Sequence, residues 1–568
     1  MPTSELNNRL NRSTGMKTSL KTKAVYHLIL SCINMASIVL GIIYYINYSS
    51  NPMWNVYGVI IIVALLLNIF STFISDKGST SNYIYLILNV LFMAIIPIQN
   101  TSASADISNE KAVSFISSIM LLSLFLYGLI INFIKLAKLK ARKKNYINKQ
   151  QSVTRSRGNV GRAVAIIIVT LLLMSGIFVV VTLLTKGKKS MAEVFIPEYS
   201  VFYGFIFLGL SAIVFNLIAP YKIRFIKYIF PVAGLAIYII CLLPIVSIPA
   251  LIKQADKNYE AAFGSEERAK VEKQYKDVFR KTAFSLPDYF FGTPSKKYDV
   301  KENVLFYEGK DGVDKGVKLY FDAYTPASKE DNLPGKNSVL IRIHGGGWTI
   351  GDKGQENYAE VNKYFASQGY VVFDVQYGLS NKEKFVKYAK VPENVVGDFN
   401  IDDMMRHLGI FTKYLAQNKD LFSANINSVF ISGGSAGGQL ANALALGISS
   451  GKYSDLLDSS IKVKGLIPFY PANGLSKNLG IGGKNDFVDP KYLVSPDSPP
   501  VLMYQGNHDG IVNPDIAELF KETYIKNQNN KIDLMYMPYG THGSDEYFSS
   551  YYNQVFMYYM ERFMAQYK

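Results

Sequence analysis

The chemistry in this chain is concentrated in four short stretches. The first is Val429-Phe430-Ile431-Ser432-Gly433-Gly434-Ser435-Ala436-Gly437-Gly438, an apolar run, a glycine-rich turn and then small residues that open a helix. Gly433 to Gly437 fits G-x-S-x-G, in which a tight strand-to-helix turn lifts one hydroxyl above a sheet edge. Glycines suit that turn because no side chain fits where strand and helix backbones nearly touch. A serine hydroxyl is a weak nucleophile until a base takes its proton. The chain has five histidines, and only His508 and His542 follow Ser435. His542, in Tyr539-Gly540-Thr541-His542-Gly543, is the expected base. Asp509 ends the stretch Pro499-Pro500-Val501-Leu502-Met503-Tyr504-Gln505-Gly506-Asn507-His508-Asp509, 74 residues after Ser435 and 33 before His542. Its expected work is to hold the imidazole in one orientation and tautomer and to stabilise its charged form. His508 adjoins that acid within one turn, a poor position from which to face it.

Attack on an ester carbonyl builds negative charge on its oxygen, and fixed backbone N–H groups must already point at that position. His344-Gly345-Gly346-Gly347-Trp348 directly follows the apolar run Leu340–Ile343 and lies 91 residues before Ser435. Its glycines let a backbone approach closely without side chains. Gly345, Gly346 and Gly347, with the N–H of Ala436, are the expected oxyanion hole, and His344 is read as a brace for the loop. Trp348, Tyr377, Phe469 and Tyr470 fall near the predicted rim as substrate-binding candidates for an apolar acyl pocket, with core packing as the competing reading for each. Chemistry of this kind calls for no metal or organic cofactor, and none is expected.

These residues need a scaffold that brings distant loops together. Strand-like segments at Val317–Tyr324, Val339–Ile343 and Tyr370–Val375 alternate with helical patterns at about 354–367, 393–418, 437–449, 513–526 and 551–566. Such alternation predicts a mostly parallel sheet covered by helices on both faces. The aromatic spacing of Tyr552, Val555, Phe556, Tyr559 and Phe563 is read as a core-packing helix face rather than a ligand box.

With four motifs in this order, residues 285–568 resemble the α/β-hydrolase superfamily, and within it the esterases and lipases that carry an H-G-G-G-W loop, near the hormone-sensitive-lipase and carboxylesterase groups. Phe373-Asp374-Val375-Gln376-Tyr377 is similar to the strand that follows the oxyanion loop there. One departure is Gly434, where many of those relatives have Asp; a G-G-S-A-G-G elbow also resembles small acyl-esterases and arylformamidase-like members. The resemblance implies the α/β-hydrolase fold and a Ser435–His542–Asp509 triad. It does not extend to residues 1–252.

That first part is different material. Residues 1–252 hold 23 Lys and Arg against 6 Asp and Glu, whereas residues 253–568 hold 37 against 38. The excess of +16 therefore sits with the long apolar runs, which points to membrane topology and away from a nucleic-acid partner. A span needs about 20 apolar residues, and candidates lie at roughly 25–48, 54–75, 82–98, 112–134, 163–184, 201–219 and 228–250, about seven in all. None contains Asp, Glu, Lys or Arg, which disfavours an ion pathway; His27 is read as an interfacial residue. Cys32 and Cys241 both lie in apolar runs, so the second half carries no disulfide framework.

With the N-terminus cytoplasmic, the inside segments carry 19 Lys and Arg, chiefly in the tail, between Lys135 and Arg162, and at Lys222, Arg224 and Lys227, with one at Lys77. The short outside loops carry 4: Lys111, Lys186, Lys188 and Lys189. An odd number of spans then puts everything beyond about residue 252 outside. The expected organisation is an α-helical transmembrane region at 1–252, a connector or stalk helix at 253–284 and an α/β-hydrolase domain at 285–568. The expected function is a membrane-anchored, extracytoplasmic serine ester hydrolase. It would act on short acyl esters of small molecules or surface polymers, with the lipid bilayer as its other partner. A peptidase or amidase on the same triad, and a non-catalytic receptor or scaffold, are the alternatives.

Overall fold

The computed structural model describes residues 3–74, 78–109, 114–144, 160–186, 191–219, 225–294, 297–327, 332–354 and 358–568. Of the residues counted for orientation, Lys77, Lys111, Lys149, Arg155, Arg157, Lys188, Lys189, Lys222 and Arg224 lie outside these ranges.

Among the described residues, six helices are long and apolar enough to cross a membrane: Leu20–Ile46, Trp54–Ile74, Thr80–Ala105, Phe115–Ala141, Val160–Leu184 and Ser200–Ile218. The seventh apolar run is helical but broken into Ile226–Cys241, Leu243–Val246 and Ile248–Phe263. Pro244 and Pro249 have no N–H to donate to the carbonyls four residues back, so the ladder lapses on either side of the short middle piece. Ile29, Val59, Leu171 and Val232 are each more than half exposed, an outward apolar surface suited to lipid rather than water. Inside the bundle, Asn68 Oδ1 accepts from Asn34 Nδ2 at 3.1 Å and from Asn132 Nδ2 at 3.3 Å, joining three helices. His27 belongs to this cluster: it is fully buried, 2.7 Å from Asn132 Oδ1, with its ring turned into the bundle.

The second half is built on strands β1 (Tyr298–Glu308), β2 (Lys318–Pro326), β3 (Ser338–Ile343), β4 (Val371–Val375), β5 (Leu379–Ser380), β6 (Val396–Gly397), β7 (Asn425–Gly434), β8 (Val463–Phe469), β9 (Val501–Gly506) and β10 (Ile532–Met537). Eight form one sheet in the order β1-β2-β4-β3-β7-β8-β9-β10, with β5 and β6 as a separate pair. β1 and β2 are antiparallel additions at one edge; from β4 to β10 every pairing is parallel. Parallel strands buried on both faces read as unbroken apolar runs, as Val339–Ile341 and Val429–Ile431 do. The helix expected from about 393 begins at Ile401, where Asn400 and Asp403 form a reciprocal capping box. In the last helix, Tyr551–Tyr567, the residues Tyr552, Val555, Phe556, Tyr559 and Phe563 are all fully buried.

The two halves share a hydrophobic core that runs from Tyr44, Leu86 and Phe202 through Tyr289 and Tyr547 to Phe556. Polar contacts stitch the same seam. Asn55 accepts from the Leu286 N–H at 2.6 Å and donates to Phe284 O at 3.0 Å; Asn100 Nδ2 donates to Tyr547 Oη at 2.9 Å; Lys363 Nζ donates to Asp106 O at 3.1 Å. Arg280 and Asp288, both buried, pair at 3.1 Å beside Tyr44 and Tyr48. The hydrolase-like half thus rests on the connections near residues 48–55, 100–109 and 191–200 of the helical half.

Candidate active site

Adjacent parallel strands deliver the four motifs to one sheet edge, because each lies just past the carboxyl end of its strand. The register pairs Ile343 with Gly433 and Gly434 with Phe469, so the loop after β3 and the turn after β7 leave the sheet side by side. Ser435 occupies that turn at φ 55° and ψ −118°, a left-handed backbone that an L-residue adopts only under strain. The flanking glycines are obligatory. A Cβ on Gly437 would stand 2.2 Å from Ile343 O and 2.3 Å from His344 O, and one on Gly433 would stand 2.4 Å from Gly437 O.

Ser435 Oγ lies 3.0 Å from His542 Nε2, and His542 Nδ1 lies 2.9 Å from Asp509 Oδ2. An ionised carboxylate only accepts, so Nδ1–H donates to Asp509 and the Nε2 lone pair faces the Ser435 hydroxyl. Asp509 is itself held by four donors. Oδ1 accepts from the N–H groups of Ile511 (2.9 Å) and Val512 (2.8 Å), while Oδ2 accepts from Gln505 Nε2 (3.1 Å) as well as His542. Burial by itself would favour the neutral imidazole. The Asp509 carboxylate, with Glu193 and Asp545 further round the ring, outweighs it and holds His542 above the ordinary imidazole range.

A cavity of about 470 Å³ opens over Ser435 and His542. Of the expected oxyanion-hole residues, Gly345 and Gly346 line it. A Cβ on Gly345 would sit 3.0 Å from Gly434 O and 3.5 Å from Ser435 Cβ, so this loop passes directly over the nucleophile. Gly347, at φ 59°, lies against Phe385, a residue of the cavity wall, and Ala436 opens the helix Ala436–Ser450, whose first N–H groups have no partner within it. His344 braces the loop: its Nδ1 donates to Gly345 O at 2.8 Å, its ring stacks on Tyr377 at 4.5 Å, and burial pushes it down to about 4. His508 packs edge-on to Tyr539 and does not face Ser435.

The four aromatic candidates divide. Tyr470 lines the cavity, 4.5 Å ring to ring from His542, and its hydroxyl donates to Asp545 Oδ1 at 2.7 Å. Trp348, Tyr377 and Phe469 are buried beneath it instead. Trp348 has φ 61°, and its indole N–H reaches Gln439 Oε1 at 2.9 Å; Tyr377 donates to His344 O at 3.2 Å; Phe469 packs between Tyr504 and Phe556. The cavity wall contains residues that sequence reading passed over. Phe385, Val386, Ala389 and Lys390 come from the segment between β5 and β6, and Met191, Val194 and Phe195 come from the helical half.

Residues 321–486, which include the oxyanion loop and the Ser435 elbow, match the BD-FAE family model. Residues 321–486 thus form an esterase-like α/β-hydrolase domain. The chain is 32% identical over 118 residues to Gut esterase 1 of Caenorhabditis elegans, a match that covers 21% of this chain and 19% of that relative. The chain thus spans about a fifth of the length of the curated relative it matches. Among solved structures it is similar to Thermogutta terrifontis esterase 2 phosphorylated by paraoxon, with TM-score 0.35, 22% identity and coverage of 47% of this chain and 90% of that one. It is likewise similar to the apo form of that esterase, with TM-score 0.35, 21% identity and coverage of 47% and 90%.

Proposed function

We propose that the protein is a membrane-anchored carboxylic-ester hydrolase that works through an acyl-enzyme on the extracytoplasmic face. The observation that carries this reading is the unbroken chain from Ser435 through His542 to Asp509, set beside Gly345 and Gly346 in a single cavity. Ser435 Oγ attacks the acyl carbon as its proton passes to His542 Nε2. The carbonyl oxygen turns toward the glycine loop and the Ala436 N–H, and collapse of the adduct expels the alcohol, which takes the proton from Nε2. Water then attacks the acyl-serine with His542 again as base, releasing the acid.

A cavity of about 470 Å³ suits small acyl esters, and a short acyl group is the expected preference. The sidedness rests on charge: the hydrolase packs on the connections near 48–55, 100–109 and 191–200, whereas Lys135, where the most basic stretch of sequence begins, meets Ser71 near the opposite end of the helix Trp54–Ile74. The test is a membrane-impermeant fluorophosphonate applied to intact cells, with Ser435→Ala as control. Labelling that disappears in the variant supports both nucleophile and orientation. Labelling only after permeabilisation overturns the orientation, and no labelling of folded protein overturns the catalytic reading. A series of p-nitrophenyl esters against aminoacyl anilides then separates esterase from amidase, and a preference for long acyl chains would overturn the short-acyl expectation.

A further inference from the structure

The connection between the helices Gly176–Leu184 and Ser200–Ile218 belongs to the membrane half, yet it enters the active site. Its 3₁₀ turn, Met191–Phe195, buries Glu193 to 1% exposure. Glu193 Oε1 accepts from the Gly510 N–H at 2.8 Å. Glu193 O accepts from Thr541 Oγ1 at 2.7 Å. Val194 fills the space beside Gly543, where a Cβ would come within 2.8 Å of its Cγ1. The residues gripped are those next to the acid and on both sides of the base.

The grip on Gly510 has a specific meaning. Three successive N–H groups follow the Asp509 carboxylate; those of Ile511 and Val512 turn back onto Asp509 itself, and that of Gly510 points the other way. A buried N–H without a partner is destabilising, so the turn that aims Asp509 at His542 is completed by a side chain more than 300 residues distant in sequence. We propose that Glu193 is a positioning residue of the active site, which fixes the Asp509 turn through Gly510 and adds a second carboxylate to the field at His542. The inference rests on the hydrolase reading above. Among the described residues, the charged groups around this point are the following. Asp509, Glu193 and Asp545 act on His542, Glu546 and Lys390 line the cavity, and Lys186 acts on His508. Burial, helped by the Asp509 charge and opposed by the Gly510 bond and the His542 ring, pushes the Glu193 carboxyl up to about 7.

The experiment compares Glu193→Gln and Glu193→Ala with the full-length wild type in nanodiscs, using p-nitrophenyl acetate and a fluorophosphonate. Glu193→Gln keeps an acceptor for Gly510 but removes the charge. Its kcat at high pH is expected within threefold of wild type, and the acid limb of its kcat/KM profile is expected about half a unit lower, because His542 loses a stabilising anion. Glu193→Ala strands Gly510 and is expected to lose tenfold or more in kcat with little change in KM. An acid limb unmoved in Glu193→Gln reduces Glu193 to a packing residue and overturns the proposal, whether or not Glu193→Ala folds. Wild-type kcat in a folded Glu193→Ala also overturns it. Failure of the wild type itself to hydrolyse ester or label at Ser435 would instead overturn the hydrolase reading.

Discussion

Replacing Asp509 by Asn tests whether the triad works through tautomer control. The carboxylate serves two pairs of donors at once: Ile511 and Val512 N–H on Oδ1, His542 and Gln505 on Oδ2. An amide has one oxygen. If that oxygen stays with the two backbone donors, the new NH₂ faces His542 Nδ1, which must then accept. The ring proton moves to Nε2, where it points at Ser435 and leaves no lone pair to take the hydroxyl proton. If the amide turns over, the base survives but two buried N–H groups lose their acceptor, at about 1–3 kcal/mol each. The first arrangement should dominate. In a comparable triad this substitution lowers turnover about 10⁴-fold, equivalent to about 5.5 kcal/mol of barrier. The assay is kcat/KM for p-nitrophenyl acetate on full-length protein, with thermal unfolding as a check that the fold survives. A folded Asp509→Asn variant within tenfold of wild type would refute the tautomer argument.

Two further outcomes follow from the same geometry. His542 must be neutral to act as base, and its raised pKa means the proton is held until pH exceeds the ordinary imidazole value of about 6.5. The kcat/KM profile should therefore rise with pH to a half-point above that value, and a half-point below it would contradict the assigned influence of Asp509. Gly437→Ala would drive a Cβ to within 2.3 Å of two backbone carbonyls, Ile343 O and His344 O, neither of which can swing away. The expected result is at least a hundredfold loss of fluorophosphonate labelling with a lowered melting temperature, and near-normal labelling would show that the elbow tolerates what its geometry forbids.

The catalytic stretches were legible because each is local. Ser435, Asp509 and His542 stand just beyond apolar strands, and the register of β3, β7, β9 and β10 brings the strand ends together without further instruction. What lies around them was not legible, for physical reasons that differ from place to place. Trp348 sits in the oxyanion motif, but its left-handed backbone turns the indole inward to Gln439, and a motif carries no record of that torsion. The wall from Phe385 to Lys390 belongs to a segment with no periodicity to read. Met191–Phe195 is separated from the triad by hundreds of residues, and its approach follows from how two folded bodies dock. A faint trace existed: only six acidic residues occur in the first 252, and Glu193 and Glu198 are two of them, five apart in one short connection.

Anchoring alone does not account for the helical half. A single transmembrane helix already gives effectively irreversible membrane attachment, whereas here a whole bundle shares its core with the hydrolase. The connection that reaches the triad is attached where the bundle is most enclosed. Ser200–Ile218 has 83% of its apolar window buried, against 17% for Val160–Leu184, so the helix that follows Glu193 is central and the one before it is peripheral. Ser200 Oγ meets Tyr551 Oη at 2.9 Å, and Tyr289 Oη donates to Glu198 O at 3.0 Å, which fastens the start of that central helix to the hydrolase. A side chain can hold a catalytic turn only as firmly as its own support is held. Four residues separate Phe195 from the most enclosed of the long apolar helices, and that short, doubly fastened span is what allows a segment of the helical half to set the geometry at Asp509.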